Sequence, residues 1–204
     1  MTDPMRAFSF RRGEYLAELD PHERTIISRV IADTSQLLGV PLGRLDEASE
    51  LEEASSAVGP SMTWSADDVS EPADPALARL LPSASKEDDG VADEFRRLTE
   101  ADLRSAKAAR LRMVFDELRR PGTKIHVPTE RAMDWAAALT DVRLVLAERL
   151  GIRTDSDAED VYRLSTMGAE ADEDEIREAL ALLYSALTWL QESLLQVMLP
   201  TLPD

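Results

Sequence analysis

The chain has 204 residues, of which 40 are acidic and 23 basic, so its formal net charge is −17. This length permits one domain of ordinary size, and a hydrophobic content of 44% is enough for a packed core, which excludes a wholly disordered acidic protein. The charge argues against a general binder of nucleic acids or anionic membranes, and the absence of cysteine excludes disulfides, thiolate metal sites and cysteine nucleophiles.

The N-terminal segment is predicted to form a β-hairpin followed by a helix. Residues 7–11 and 14–19 alternate apolar and polar side chains on either side of an Arg-Gly turn, which is typical of two paired strands. Asp20 and Pro21 form a typical helix start, and the apolar residues after them recur on one face until Gly39.

The negative charge is concentrated in two stretches. Residues 46–74 contain nine acidic residues and no basic one, and residues 154–175 contain nine acidic residues opposed by a single arginine. Together they carry the whole net charge, so the remainder of the chain is neutral. Their composition predicts disordered acidic inserts at about residues 45–73 and 153–172 of a single helical domain that spans residues 1–204.

Between the two inserts, the sequence predicts further helices and one strand. A short helix is expected at residues 76–81 and a long one at residues 91–119. Thr99 has the spacing to cap a second segment of the long helix, so a kink is expected near Leu98. Residues 124–127 have the pattern of a short strand that joins the hairpin.

Two longer helices complete the predicted fold. Thr129 is expected to cap a helix over residues 130–150, which Gly151 ends. The last helix is predicted from Asp172 to about Leu199, and its apolar residues cover so much of the circumference that we expect it at the centre of a bundle. The fold class is therefore mostly α, a bundle of about four to five helices with a small N-terminal antiparallel β-sheet.

Residue patterns that would indicate catalysis or metal binding are sparse. His22 and His126 stand alone, and without cysteine they do not supply the three or four ligands of a zinc site. The acidic run at residues 155–160 lacks the glycine and the terminal glutamate of a calcium loop. The glycines stand singly rather than in a phosphate-binding loop. We expect no catalytic residue, no metal and no cofactor.

The long predicted helix contains a cluster of basic residues, several of which share a face. The candidate partner-binding residues are Arg96, Arg97, Arg104, Lys107, Arg110 and Arg112, together with Trp64 of the first insert. The same pattern also fits a solvated face with ion pairs, such as Glu100 with Arg104, or self-association, or contact with the protein's own acidic inserts. The side chain of Trp64 is expected to dock on a partner or on the parent domain.

A second set of polar residues lies in apolar surroundings and is predicted to be structural. This set consists of Asp141, Arg143, Gln191 and Glu192. Arg143 stands among aliphatic residues, where a half-buried guanidinium group needs a carboxylate or backbone partner. Gln191 and Glu192 interrupt the most apolar helix, so they are expected to face solvent or to bind a neighbouring helix.

Five segments resemble a known family in sequence and order. They are FRRGEYLAELDPHER (residues 10–24), DPALARLLP (74–82), EFRRLTEADLRSAK (94–107), DVRLVLAERLG (141–151) and WLQESL (189–194). The family is the actinobacterial one catalogued as domain of unknown function 2017. Thr140 departs from the resemblance, because an asparagine is expected before Asp141.

The resemblance implies a regulatory role rather than catalysis. The family has no assigned enzymatic activity, its members have been proposed as transcriptional regulators of the oxidative-stress response, and their genes commonly lie beside that of the Clp protease adaptor. We expect a non-enzymatic protein that contacts a sigma factor or RNA polymerase, and we do not expect autonomous nucleic-acid binding. An accessory factor for Clp-dependent proteolysis and an enzyme of unrecognised type are the alternatives. Because no apolar run resembles a signal peptide or a membrane span, the expected location is the cytoplasm.

Overall fold

A computed structural model describes residues 5–43, 74–83, 89–167 and 175–201 of the chain. The elements in chain order are β1 (Arg6–Arg11), β2 (Glu14–Glu18), α1 (Pro21–Leu37), α2 (Pro75–Leu80), α3 (Asp89–Leu118), β3 (Lys124–Pro128), α4 (Ala132–Leu150), α5 (Asp155–Met167) and α6 (Glu175–Met198), with 3₁₀ turns at Thr129–Arg131 and Leu199–Thr201. The predicted fold class, mostly α with a small N-terminal antiparallel sheet, is confirmed.

The sheet has the strand order β1-β2-β3, and both pairs are antiparallel. The hairpin turn places both Arg12 and Gly13 at positive φ, a conformation that suits a tight hairpin and favours glycine. β3 pairs with β2 as the sequence predicted, with His126 opposite Leu16. Alternation along the strands places Ile125 and Val127 in the core and leaves the neighbouring polar residues outside.

Helix side chains bind backbone amides of the two outer strands. The backbone amide of Phe8 in β1 donates to Ser193 Oγ of α6 at 3.1 Å. The backbone amide of His126 in β3 donates to Glu117 Oε1 of α3 at 2.9 Å. An unpaired strand edge is a template for unwanted strand pairing, so these contacts help to keep the small sheet within its own domain.

The core lies between the sheet and the helices α1, α3, α4 and α6. Trp135 of α4 is its largest fully buried side chain and meets Phe8 edge-to-face, with 6.3 Å between the ring centroids. Phe115 of α3 and Leu190 of α6 are also buried. Apolar residues spaced three and four apart on α4, from Trp135 through Leu139, Val142 and Leu146 to Leu150, share one helix face and are buried.

Local signals predicted the ends of several helices correctly. The Asp20 carboxylate accepts from the backbone amides of His22 and Glu23. The Glu23 carboxylate accepts in turn from the Asp20 amide, which completes a capping box for α1. At the C-terminal end of α4, Gly151 adopts a left-handed conformation with φ of 74° and ends the helix.

The second predicted insert is in part wrong. Residues Asp155–Met167 form α5, which packs on α6, so this stretch adds a sixth helix to the described part of the chain. Acidic composition concealed a short apolar face, on which Val161 is buried and Leu164 is partly buried. Residues 45–73 and 168–172 of the predicted inserts lie outside the described residues.

Three finer predictions are also wrong. α3 is one unbroken helix, and the hydroxyl of Thr99 donates to the Phe95 carbonyl at 2.8 Å instead of capping a new segment. The side chain of Thr129 caps no helix, since a 3₁₀ turn precedes α4. α6 is not buried all round: Leu182, Trp189 and other apolar side chains of this helix are exposed, because its main contacts among the described elements, with α4, α5 and β1, leave one side open.

No helix within the described residues is long and apolar enough to cross a membrane.

Candidate functional site

The predicted basic residues of α3 bind several different neighbours instead of forming one open strip. Two of them contact carboxylates of α4. Lys107 Nζ lies 2.5 Å from Asp141 Oδ1, and Arg110 Nε lies 3.2 Å from Asp134 Oδ1. These two pairs tie α3 to α4.

Arg104 and Arg112 bind the chain where α1 ends. Arg104 donates to the Leu38 carbonyl at 3.4 Å, and Arg112 donates to the carbonyls of Pro41 and Leu42, each also at 3.4 Å. The Leu38 carbonyl lies at the C-terminal end of α1, where carbonyls without a partner in the helix carry partial negative charge and favour cations. Both arginines therefore serve the packing of α1 on α3.

Three of the basic residues pair within α3. Arg104 lies 2.7 Å from Glu100, the pair that the ion-pair interpretation named. Arg96 is buried and lies 3.4 Å from Asp93 and 3.6 Å from Glu100. Arg97 is exposed and contacts Glu94 at 2.6 Å, and this hydrogen bond holds the pKa of Glu94 below its ordinary value. Arg96 and Arg97 therefore also form ion pairs within their own helix, as the alternative interpretation of the basic cluster predicted. They differ in exposure, since Arg96 is buried and Arg97 is not.

All six basic candidates thus have partners within the chain, and the side chains of Arg96, Arg104 and Lys107 are themselves largely buried. Trp64, the seventh candidate, lies outside the described residues. Whether these residues also bind a partner stays a prediction, but the structure already assigns most of them a part in holding the helices together.

The contact between Lys107 and Asp141 is a buried ion pair. The side chain of Lys107 is 14% exposed and that of Asp141 is 4% exposed. The second carboxylate oxygen of Asp141 has no hydrogen-bond partner among the described residues. A buried charge is costly unless it is compensated, so Asp141 depends strongly on Lys107.

Arg143 and Gln191 join α4 to α6. Arg143 donates to Gln191 Oε1 at 2.6 Å, and the Gln191 amide nitrogen donates to the Ala136 carbonyl at 2.9 Å and to Thr140 Oγ1 at 2.6 Å. The Arg143 guanidinium also lies over the Tyr184 ring, 5.3 Å from its centroid. The partner of Arg143 is therefore an amide oxygen and an aromatic face rather than a carboxylate.

Thr140 and Glu192 complete the set of polar positions on α4 and α6. Thr140, which stands where the resemblance led us to expect asparagine, accepts the bond from Gln191 and so belongs to the same network. Glu192 is exposed on α6. The second set of polar residues therefore divides into three that are internal, Asp141, Arg143 and Gln191, and one that faces solvent.

Arg24 is a buried residue that sequence reasoning missed. Its guanidinium donates to the carbonyls of Glu117, Leu118 and Arg120 at the end of α3, and to that of Lys124. Burial lowers the pKa of Arg24, and the nearby Glu117 carboxylate partly offsets this effect. No local signal predicts this role, because the acceptors lie more than 90 positions further along the chain.

The two histidines lie in different elements, α1 and β3. His22 lies in the first turn of α1, and His126 Nδ1 contacts Glu14 Oε2 across the sheet at 3.3 Å. Among the described residues, no group of three or more histidine, aspartate or glutamate side chains is arranged to hold a metal ion.

α5 begins with a strong cap. Asp157 accepts from the backbone amides of Arg153 at 2.9 Å and Thr154 at 2.8 Å, and these bonds lower its pKa. The Thr154 hydroxyl accepts in return from the Asp157 amide at 3.3 Å. The spacing of Thr154 and Asp157 is the sequence signal by which this helix was predictable.

Large apolar side chains are exposed on the outer faces of α5 and α6. On α6, Leu182 is 48% and Trp189 43% exposed, and their spacing of seven positions, about two helical turns, places both on one face. On α5, Tyr162 is 65% and Met167 82% exposed. Sequence reasoning had assigned the residues of α6 to the core and those of α5 to a disordered insert, so neither surface was among its candidate sites.

Comparison with known proteins identifies the family of the chain. No curated protein and no solved structure matches it. A family model described as "Domain of unknown function (DUF2017)" matches residues 5–198. This match covers nearly the whole sequence, from β1 to the end of α6. The chain therefore belongs to the family of domain of unknown function 2017.

Proposed function

We propose that the protein is a non-enzymatic, cytoplasmic regulator that acts through protein contacts in stress-linked transcription, with a sigma factor or RNA polymerase as its partner. The observation that supports a protein-binding role is the exposed apolar face of α6, which we call the Trp189 face and define by Leu182, Ala186 and Trp189. The transcriptional setting is an expectation that follows from the family resemblance.

The Trp189 face has the chemistry of a binding anchor. Its three residues lie four and three positions apart, so they form one ridge along the helix. An adjacent side of α6 is packed through Leu187, Leu190 and Leu194, all of them buried. A tryptophan on such a fixed support loses little conformational freedom on binding, and tryptophan is enriched among residues that dominate binding energy.

The net charge of −17 supports a basic partner surface. Opposite charges attract over long range, which speeds association and weakens as salt is added. Phosphate surfaces would be repelled, so the same charge supports binding to a protein of the transcription machinery rather than to DNA itself.

The test is capture of purified sigma factors and RNA polymerase from the source organism on the immobilised chain. We expect one of them to bind, more tightly at low salt, and we expect Trp189→Ala to weaken that binding at least tenfold. Leu98→Ala is the matched control, because Leu98 is an exposed apolar residue on α3. If no transcription protein binds at low salt while the purified Clp adaptor does, the proposal is wrong and the proteolysis alternative takes its place.

A further inference from the structure

The outer face of α5 is a second surface, separate from the Trp189 face. We call it the α5 face and define it by Asp155, Glu159, Tyr162, Thr166 and Met167, all of them exposed. The first four recur at helical spacing and therefore lie on one side of α5, with Met167 beside them at its end. Most of these residues line a shallow groove on the surface.

The charge of this face is negative. Arg163, the basic residue of α5, pairs with Asp160 at 2.8 Å. Among the described residues, Asp155 and Glu159 lie within 4 Å of no cation. The α5 face thus combines two large apolar side chains with two free carboxylates.

α5 holds this face in a fixed position. Val161 on the opposite side is buried against Leu150 and Ala181, and Ser165 and Ser185 join α5 to α6 through their hydroxyls at 3.0 Å. The cap formed by Asp157 stabilises the start of the helix. A partner therefore meets a preformed ridge, which reduces the entropic cost of binding.

We propose that the α5 face binds a basic amphipathic helix of a partner protein. Apolar side chains of that helix would cover Tyr162 and Met167, while its lysines or arginines would lie against Asp155 and Glu159. With 13 residues, α5 is about 20 Å long, which suits the packing of ridges on one helix into the grooves of another.

Other occupants fit this face less well. A second copy of the chain would bring the same carboxylates to the contact, and like charges that face each other across an interface are unfavourable. Nucleic acids and anionic lipids would be repelled for the same reason. A basic helix is the partner that satisfies both the apolar and the charged parts of the surface.

The experiment uses the full-length chain and a synthetic helical peptide of leucine and lysine, about four turns long, with leucines on one face. Binding is measured by isothermal titration calorimetry at two salt concentrations. We expect the double variant Tyr162→Ser/Met167→Ser to weaken binding at least tenfold, and Glu159→Gln to weaken it and reduce its salt dependence. Leu98→Ser and Asp102→Asn on α3 are the matched apolar and acidic controls, and they should bind like the wild type.

The inference is overturned if the peptide does not bind, or if it binds equally well to the α5 variants. It is also overturned if a peptide with glutamate in place of lysine binds as tightly, because charge would then play no part. The inference shares one assumption with the proposed function, namely that the chain binds another protein. A chain that captures transcription proteins through Trp189 but fails the peptide test would refute the α5 site alone, and the reverse result would refute the proposed partner alone.

Discussion

Helices α3 and α5 are both rich in charged residues but place them in opposite ways. α3 lies against α1 and α4, and four of its cations, Arg104, Lys107, Arg110 and Arg112, bind carboxylates of α4 or carbonyls that follow α1. α5 lies at the periphery, and Asp155 and Glu159 face outward from it. The difference shows that cations on this central helix fix packing, whereas two carboxylates of the peripheral helix have no cation within 4 Å among the described residues.

The largest expected effect comes from breaking the buried pair of α3. Replacing Lys107 by methionine leaves Asp141 buried without its cation, so we expect Lys107→Met to lower the free energy of unfolding by about 3–5 kcal/mol. Urea denaturation followed by circular dichroism measures this loss. The double variant Lys107→Met/Asp141→Leu removes both charges and should recover most of the lost stability.

Arg97→Met is the matched control for Lys107→Met. Arg97 is a cation of the same helix, but its side chain and that of Glu94 are exposed, so their pairing is screened by solvent. We expect the stability of the Arg97→Met variant to stay close to that of the wild type. If Lys107→Met were no more harmful than Arg97→Met, the cations of α3 would not be packing residues.

A smaller effect tests whether α5 is an ordered part of the fold. Val161 is buried and Tyr162, next to it, is exposed. We expect Val161→Ala to cost about 2 kcal/mol through lost apolar burial, and Tyr162→Ala to change stability by less than about 0.5 kcal/mol. Equal and negligible effects in thermal unfolding would mean that α5 behaves as the insert that its composition predicted.

The smallest expected effect concerns Asp74, a carboxylate of intermediate exposure. Asp74 caps α2 through the Ala76 amide and binds Arg149 of α4 at 2.6 Å. The hydrogen bond from Arg149 is the main reason that its pKa lies below the ordinary value. Losing the cap in Asp74→Ala should cost about 1 kcal/mol at neutral pH.

The stability lost in Asp74→Ala should become smaller as the pH falls. A lowered pKa in the folded state stabilises the protein above the ordinary carboxyl pKa of about 3.9. The stabilisation disappears as the pH falls through the lower folded value. The stability difference between the wild type and Asp74→Ala should therefore be constant from pH 7 to about pH 5 and shrink below about pH 4. A difference that grows on acidification would contradict this account of Asp74.

Much of the fold was predictable, because its signals act over a few residues. The capping box at Asp20 and the glycine stop at Gly151 mark helix ends, and the hairpin turn marks the first strand pair. α5 was missed because acidic composition outweighed a two-residue apolar face and a cap at Thr154. The exposure of Trp189 was missed because the apolar pattern of α6 does not reveal how many neighbours cover it.

The sequence by itself determined the local elements, the concentration of negative charge in two stretches and the absence of thiol chemistry. Only the tertiary structure decided which charges are internal. Lys107 meets Asp141 across 34 positions of the chain, and Arg24 meets the end of α3 across more than 90. Such contacts depend on how whole helices pack, and no pattern within one helix encodes them. The same packing decides which apolar faces remain uncovered, and those of α5 and α6 are where partners are proposed to bind.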